Sequence, residues 1–127
     1  RDNAVNSTDV PFVFMVFKRV DYLMQAIVSL NSSDFPRERV PIIISHDGKV
    51  PDVLEYVEEL KADFKVVQLF HPYSCYEHQH SFPGNDTSLN IGFEGDTYHN
   101  PRSDWATCCK HHFTWMLHTI FETKELQ

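Results

Sequence analysis

The residues best suited to chemistry in this chain occur in two clusters that lie far apart in the sequence. Lys110–Trp115, with the sequence KHHFTW, places a lysine and two adjacent histidines within one turn of an amphipathic segment. Ser45-His46-Asp47 follows a run of aliphatic residues. Because ligands of open α/β sheets bind beyond the carboxyl ends of the strands, a carboxylate there and a cationic helix would suit a nucleotide or another phosphorylated ligand.

Hydrophobic patterns along the chain predict the strands and helices that would position these clusters. The predicted strands are residues 10–17, 40–44 and 65–70, the predicted helices are residues 21–30 and 51–60, residues 71–104 are predicted to be irregular, and a last helix is predicted to begin at Trp105. Short connections in a β-α-β-α-β order favour a parallel sheet with right-handed crossovers. We therefore expect an α/β fold.

Two further predictions concern which residues are buried. Residues 10–17 are almost wholly apolar and rich in β-branched and aromatic side chains, which is typical of a strand covered on both faces. The last helix would be capped by Ser103 or Asp104. Its apolar face is predicted to consist of Trp105, Cys109, His112, Phe113, Met116 and Ile120.

Chain length and charge limit the class of protein. The 127 residues suit one domain, with residues 1–9 as a polar lead-in and residues 10–127 as the folded part. The formal net charge is −7 and no run of lysine or arginine occurs, which argues against nucleic-acid binding. No stretch approaches the roughly 20 apolar residues that a membrane-spanning helix needs.

Four of the candidate residues have a functional interpretation and an ordinary one. Asp47 could accept hydrogen bonds from a ligand's ring N–H or ribose hydroxyl, or it could simply form a turn with Gly48. Lys18 and Arg19 follow the first strand and could hold a phosphate, or they could be solvated surface. His112 would lie on the apolar face of the last helix, where a phosphate oxygen or a backbone carbonyl could satisfy its imidazole.

The cysteines and histidines suggest a different class of site. Three cysteines are too few for a disulfide framework, and an odd count leaves at least one thiol unpaired. Residues of the types that bind zinc are Cys75, His78, His80, Cys108, Cys109, His111 and His112. Their spacing contains neither Cys-x-x-Cys nor a His-x3–5-His pair, so a Cys/His metal-binding module is an alternative that bound zinc would favour.

Three N-glycosylation sequons are present, at Asn6, Asn31 and Asn85. None has proline at its middle position, and all lie in polar contexts that suit a surface loop. Such tripeptides also arise by chance. The sequons favour a lumenal location.

Four blocks of the sequence together resemble the Golgi β-1,2-N-acetylglucosaminyltransferases, and most closely the N-acetylglucosaminyltransferase II family. They are residues 16–23 (VFKRVDYL), 44–47 (ISHD), 82–86 (FPGND) and 110–118 (KHHFTWMLH), and they occur in the family's order and approximate spacing. The resemblance implies a GT-A-type, Rossmann-like nucleotide-sugar fold with a mainly parallel sheet flanked by helices. Residues 10–127 would be its N-terminal, nucleotide-binding portion, truncated before the end of the domain.

The resemblance also implies a reaction and the residues that bind the donor. The reaction is inverting transfer of N-acetylglucosamine from UDP-N-acetylglucosamine (UDP-GlcNAc) to the 2-hydroxyl of a mannose on an N-glycan acceptor. Asp47 would contact the uracil, and His112 would contact the diphosphate. The full set of donor-binding residues implied by the resemblance is Met15, Val16, Phe17, Lys18, Arg19, Asp47, Cys108, Cys109, Lys110, His111 and His112.

Other implied features fall outside this chain. In the resembled family, Mn²⁺ is held by an acidic cluster, typically Glu-Glu-Asp, on the strand after the KHH helix, and a carboxylate further on acts as base. We therefore expect no catalytic residue and no ligand of this Mn²⁺ among the 127 residues, and no activity of the chain alone. The resemblance implies the Golgi lumen, with a membrane anchor that lies outside this chain.

Departures from the family pattern keep alternatives open. Met15, Phe17 and Lys18 differ from the usual first loop, and Cys108 and Cys109 replace a typical glutamine and threonine. A cysteine pair typical of the long loop is also missing. The alternatives are an N-acetylglucosaminyltransferase I-like or O-mannose-type transferase, or an inactive fragment.

Overall fold

Three parallel strands and three helices make up most of the fold. The computed structural model describes residues 10–78, 81, 86–99 and 102–123. In chain order the elements are β1 (Phe12–Val16), α1 (Val20–Asn31), β2 (Ile42–His46), α2 (Pro51–Leu60), β3 (Val66–Phe70), a short 3-10 helix (Thr87–Asn90) and α3 (Asp104–Glu122). The predicted α/β fold and parallel sheet are confirmed.

The strands lie in the order β1-β2-β3, and their carboxyl ends are level with one another. Val16 pairs with His46, and His46 pairs with Phe70. The register continues past the strand ends, because the Asp47 amide donates to the Val16 carbonyl at 2.8 Å and the His71 amide donates to the His46 carbonyl at 2.9 Å. The first residues after β2 and β3 therefore lie side by side at one edge.

Alternate side chains of β2 enter two separate cores, because successive residues of a strand point to opposite faces. Ile42 and Ile44 pack with the buried residues of α1 and α2 on one face. Ile43 packs with Met116 and Ile120 of α3 on the other face. Helices thus cover both faces of the central strand.

The prediction that the first strand is covered on both faces is wrong. Phe14 and Val16 pack against the core formed with α1 and α2. Val13 and Met15, on the opposite face, are 37% and 43% exposed. The reason is the position of α3, whose core contacts are with β2 and β3 and do not extend over β1 among the described residues.

The predicted apolar face of α3 is also partly wrong. The buried residues recur every four positions, at Cys108, His112, Met116 and Ile120. Trp105 is 71% exposed and Phe113 is 50% exposed. Both belong to a neighbouring row of side chains on the helix, and that row lies beside the buried row. The predicted cap is confirmed, since the Ser103 hydroxyl accepts from the Ala106 amide at 3.2 Å.

Smaller differences concern the ends of the elements. β2 begins and ends two residues later than predicted, because Ser45 and His46 still pair with β1. The region predicted to be irregular contains the 3-10 helix. None of the helices described is both long enough and apolar enough to cross a membrane. Asn31 is exposed at the end of α1, whereas Asn6 and Asn85 lie outside the described residues.

Candidate functional site

Three polar side chains that are distant in sequence meet at the carboxyl edge of the sheet. Asp47 follows β2, His71 follows β3 and His112 projects from α3. The Asp47 Oδ1 atom lies 3.0 Å from His71 Nδ1 and 3.9 Å from His112 Nδ1. All three residues are buried, with 8%, 4% and 2% of their surfaces exposed. Asp47 and His112, which the resemblance assigns to the same donor, therefore lie side by side in the fold.

Two further residues fix the orientation of the imidazoles. His112 Nε2 lies 2.8 Å from the Ser45 hydroxyl, and His71 Nε2 lies 2.8 Å from His111 Nδ1. The rings of His71 and His112 stack with centroids 4.7 Å apart. Both imidazoles are thus held by a hydrogen bond on the side away from Asp47.

Strand alternation explains why Ser45 belongs to this cluster and His46 does not. Ser45 points to the α3 face of the sheet, whereas His46 points to the other face. There, His46 Nε2 lies 2.9 Å from Gln68 Oε1, and its ring stacks on Phe70 at 4.8 Å. His46 Nδ1 is buried without a hydrogen-bond partner among the described residues.

Burial keeps the His112 imidazole neutral at pH 7. Burial, assisted by the nearby His71, lowers the pKa of His112 to about 4, although the Asp47 carboxylate opposes the shift. Burial and His71 also lower the pKa of His111. At pH 7 the His112 ring therefore has one N–H and one free lone pair, and can act as a hydrogen-bond donor or as a metal ligand.

Of the three cysteines beside the site, two form a disulfide and one is a free thiol. Cys75 and Cys108 form a disulfide, and their sulfurs lie within 4.8 Å of a carboxylate oxygen of Asp47. Cys109 is the free thiol that the odd count predicted. Partial burial is the main cause that raises the pKa of Cys109, and the negative charge of Asp47 is the second. A thiol with a raised pKa is a poor nucleophile at neutral pH.

The disulfide changes two interpretations made from the sequence. Cys108 is a predicted donor-binding residue, but it is buried and bonded to Cys75. It is therefore a structural residue beside the site, without a free thiol that could contact the donor. The zinc module predicted from cysteine and histidine loses Cys75 and Cys108 as thiolates while the bond is intact. His78 is partly buried nearby, and His80 lies outside the described residues.

The loop after β1 borders a cleft of about 530 Å³. Its walls include Met15, Val16, Phe17, Lys18 and Arg19, together with the first part of α1 and Trp105 from α3. The predicted donor-binding residues thus form two groups in the structure. One group lines this cleft in the loop after β1, and the other surrounds Asp47. The two groups are neighbours, since Val16 and Asp47 share a backbone hydrogen bond.

The cationic residues are available at the surface. Lys18 and Arg19 are exposed, each lying over an aromatic ring, Phe17 and Tyr22 respectively. Lys110 is also exposed, one position before the partly buried His111. These cations can meet a charged ligand without the cost of burying an unpaired charge.

His71 is the site residue that sequence reasoning missed. The predicted irregular stretch begins at His71, although this residue is the first one after β3. Asp47 holds the equivalent position after β2, and such positions share one edge of a parallel sheet. That equivalence is the signal that could have identified His71.

The turn after Asp47 yields a stability prediction. Gly48 has φ +109°, and an added Cβ would lie 3.1 Å from Tyr76 Cβ. Gly48→Ala is therefore expected to lower the free energy of unfolding by about 2–3 kcal/mol, through backbone strain and crowding. Gly92→Ala is the matched control, because φ is +74° there but nothing lies within 4 Å. Its expected loss is about 1 kcal/mol, and equal losses in urea unfolding would contradict the role of crowding.

Comparison with known proteins places the sequence among glycosyltransferases. Residues 2–127 match the family model of N-acetylglucosaminyltransferase II (MGAT2). The chain is 34% identical over 127 residues to the alpha-1,6-mannosyl-glycoprotein 2-beta-N-acetylglucosaminyltransferase of Arabidopsis thaliana, with 91% of this chain and 29% of that protein covered. The Rattus norvegicus protein of the same name is 28% identical, with 96% and 30% covered. The chain thus spans less than a third of the length of these relatives.

Proposed function

Because the chain belongs to the N-acetylglucosaminyltransferase II family, we propose that the complete protein transfers N-acetylglucosamine to an N-glycan. The donor is UDP-GlcNAc, and the acceptor group is the 2-hydroxyl of a terminal mannose. The reaction inverts the configuration at the anomeric carbon of the sugar. The residues that the structure describes supply part of the donor site.

One observation carries this proposal beyond family membership, namely the polar cluster at the carboxyl edge of the sheet beside an open cleft. Nucleotides bind to doubly wound sheets at this edge. Asp47 lies there with a side chain that is 12% exposed, and the exposed Lys18 and Arg19 lie in the adjoining loop. An acid for the uridine and cations for the phosphates are thus available within one region.

Each residue has a distinct role in the proposed site. Asp47 accepts a hydrogen bond from the uracil N–H or the ribose, and its backbone amide stays bound to Val16. Lys18 and Arg19 attract the diphosphate from the open side of the cleft. His71 Nδ1, 3.0 Å from Asp47 Oδ1, holds the carboxylate in place. His112 is neutral and almost completely enclosed beside it, and its direct contact with the diphosphate stays a prediction.

The Mn²⁺ implied by the resemblance does not fit this cluster. Asp47 is the single carboxylate among the clustered ligands, while Mn²⁺ favours carboxylate, carbonyl and water oxygens. We therefore propose Mn²⁺ as a cofactor of the complete enzyme, bound elsewhere in the protein. The base that deprotonates the mannose hydroxyl is likewise proposed to lie outside the described residues, and the Golgi lumen is the proposed location.

A transfer assay with the complete protein tests this function. UDP-GlcNAc and a mannose-terminated N-glycan are expected to yield a product with a new β-1,2 linkage, in a reaction that chelation of divalent metal abolishes. Acceptors with a free α-1,6 arm, a free α-1,3 arm or an O-linked mannose separate the type II activity from the type I and O-mannose alternatives. Absence of transfer to all three would contradict the proposal.

Arg19→Gln is expected to raise the KM for UDP-GlcNAc about tenfold with little change in kcat, because a charge-assisted contact contributes roughly 1.5–3 kcal/mol. Lys61→Gln is the control, since Lys61 lies at the far end of α2 and pairs with Glu58. Initial rates at varied donor concentration measure the effect. Identical KM values in the wild type and Arg19→Gln would remove Arg19 from the donor site.

A further inference from the structure

Four aromatic side chains line the cleft beside the loop after β1, and one of them is largely uncovered. Phe14 packs against the core formed with α1 and α2. Phe17 lies edge-on to a neighbouring tyrosine ring, with centroids 5.7 Å apart. The Arg19 guanidinium lies over the Tyr22 ring, 4.8 Å from its centroid. Trp105 is the fourth aromatic residue, and 71% of its surface is exposed.

The exposure of Trp105 is unusual for its residue type. Tryptophan has a large apolar surface and is highly buried on average. Trp105 lies in the first turn of α3 and belongs to neither hydrophobic core of the described residues. A ligand bound in the cleft would cover part of the indole and remove that apolar surface from water.

Both walls of the cleft lead to the Asp47 carboxylate. On one wall, the Val16 carbonyl accepts a hydrogen bond from the Asp47 amide at 2.8 Å. On the other wall, Cys108 lies one turn after Trp105, and its sulfur is within 4.8 Å of a carboxylate oxygen of Asp47. Side chains one turn apart on a helix are neighbours, about 5–6 Å apart. A flat ring against the indole of Trp105 would therefore have Asp47 near its edge.

The lining of the cleft suits a ligand that combines a flat ring with negative charge. Its volume of about 530 Å³ is in the range of small-molecule sites. Lys18 and Arg19 supply cations that can pair with phosphate oxygens. Nucleobases stack on aromatic side chains because every base has a flat π face. A nucleoside diphosphate has both the ring and the charge.

We infer that Trp105 stacks on the uracil ring of the donor and positions that ring for Asp47. The inference rests on the proposed function, because it adds a residue to the same donor site. Trp105 is not among the residues that the resemblance assigns to the donor. Stacking depends on a flat ring, whereas the hydrogen bond to Asp47 depends on the ring N–H, so the two contributions can be measured separately.

Calorimetric titration of the complete protein with UDP and with 5,6-dihydro-UDP, in the presence of Mn²⁺, tests the inference. The dihydro compound keeps the ring N–H and the diphosphate, but its base is not planar. The wild type is expected to bind UDP at least about fivefold more tightly than the dihydro compound. Trp105→Ala should lose this preference and bind UDP at least about fivefold more weakly than the wild type. Trp105→Phe keeps an aromatic ring and should retain most of the preference.

Two control variants separate stacking from other effects. Phe113→Ala removes another exposed aromatic side chain of α3 and should bind both ligands like the wild type. Asp47→Ala should weaken both ligands and keep the preference for UDP, because the indole is still present.

The possible failures of the inference and of the proposed function are distinguishable. A wild type that binds no UDP would overturn both. An unchanged preference for UDP in Trp105→Ala, or an equal weakening of both ligands, would overturn the stacking role alone. A raised KM for the glycan acceptor with normal UDP affinity in Trp105→Ala would also overturn it, and would assign the indole to the acceptor.

Discussion

The double variant Cys75→Ser/Cys108→Ser is expected to lose about 3–4 kcal/mol of its free energy of unfolding. The bond closes a loop across 33 residues of sequence, and the entropy removed from the unfolded chain grows with the logarithm of loop length. The bond also ties the segment after β3 to the buried side of α3. We therefore expect the irregular region to become more accessible to protease when the bond is absent.

Equilibrium unfolding in urea, with and without a reducing agent, measures this effect. Reduction of the wild type should reproduce the loss seen in the double variant. Cys109→Ser is the matched control, because Cys109 is the neighbouring free thiol, and it should change stability by less than about 1 kcal/mol. A double variant as stable as Cys109→Ser would show that the bond contributes little.

The folded protein is expected to lose about 3 kcal/mol of stability through His112 alone as the pH falls from 6.5 to 4. Burial lowers the pKa of this imidazole from 6.5 to about 4 in the folded state. Between these values the unfolded chain binds the proton and the folded chain does not, so acid favours unfolding. The contribution of the neutral His112 to the free energy of unfolding is complete above pH 6.5, and it decreases as the pH falls towards 4.

Urea unfolding in EDTA at several pH values isolates this contribution. His112→Gln keeps a polar side chain beside Ser45 but cannot titrate, so its stability should depend less steeply on pH than that of the wild type. His118→Gln is the control and should keep the wild-type slope between pH 6.5 and 4. Parallel pH profiles for His112→Gln and the wild type would contradict the buried, neutral state of His112.

The order of the elements followed from local patterns. Aliphatic runs marked β2 and β3, and apolar residues three or four positions apart marked the buried faces of α1 and α2. Asp47-Gly48 predicted a turn, and Gly48 has the positive φ that such a turn requires. These features are set by neighbouring residues, so the sequence alone contains them.

What the sequence could not predict depends on how the elements pack. The apolar composition of β1 suggested two covered faces, but α3 packs over β2 and β3 and leaves Val13 and Met15 exposed. The burial of Cys108, and its bond to Cys75, depends on where the irregular segment returns to the sheet. His71 joins Asp47 only because β2 and β3 end level with each other.

Donor recognition at the sheet edge is tested most directly by calorimetric titration of the complete protein with UDP in the presence of Mn²⁺. Asp47→Ala is expected to bind UDP at least about tenfold more weakly than the wild type, because the variant lacks the carboxylate that accepts a charge-assisted hydrogen bond from the uridine. Asp52→Ala, which removes an exposed acid from the first turn of α2, should bind like the wild type. Equal UDP affinity in Asp47→Ala and the wild type would contradict the donor site described here.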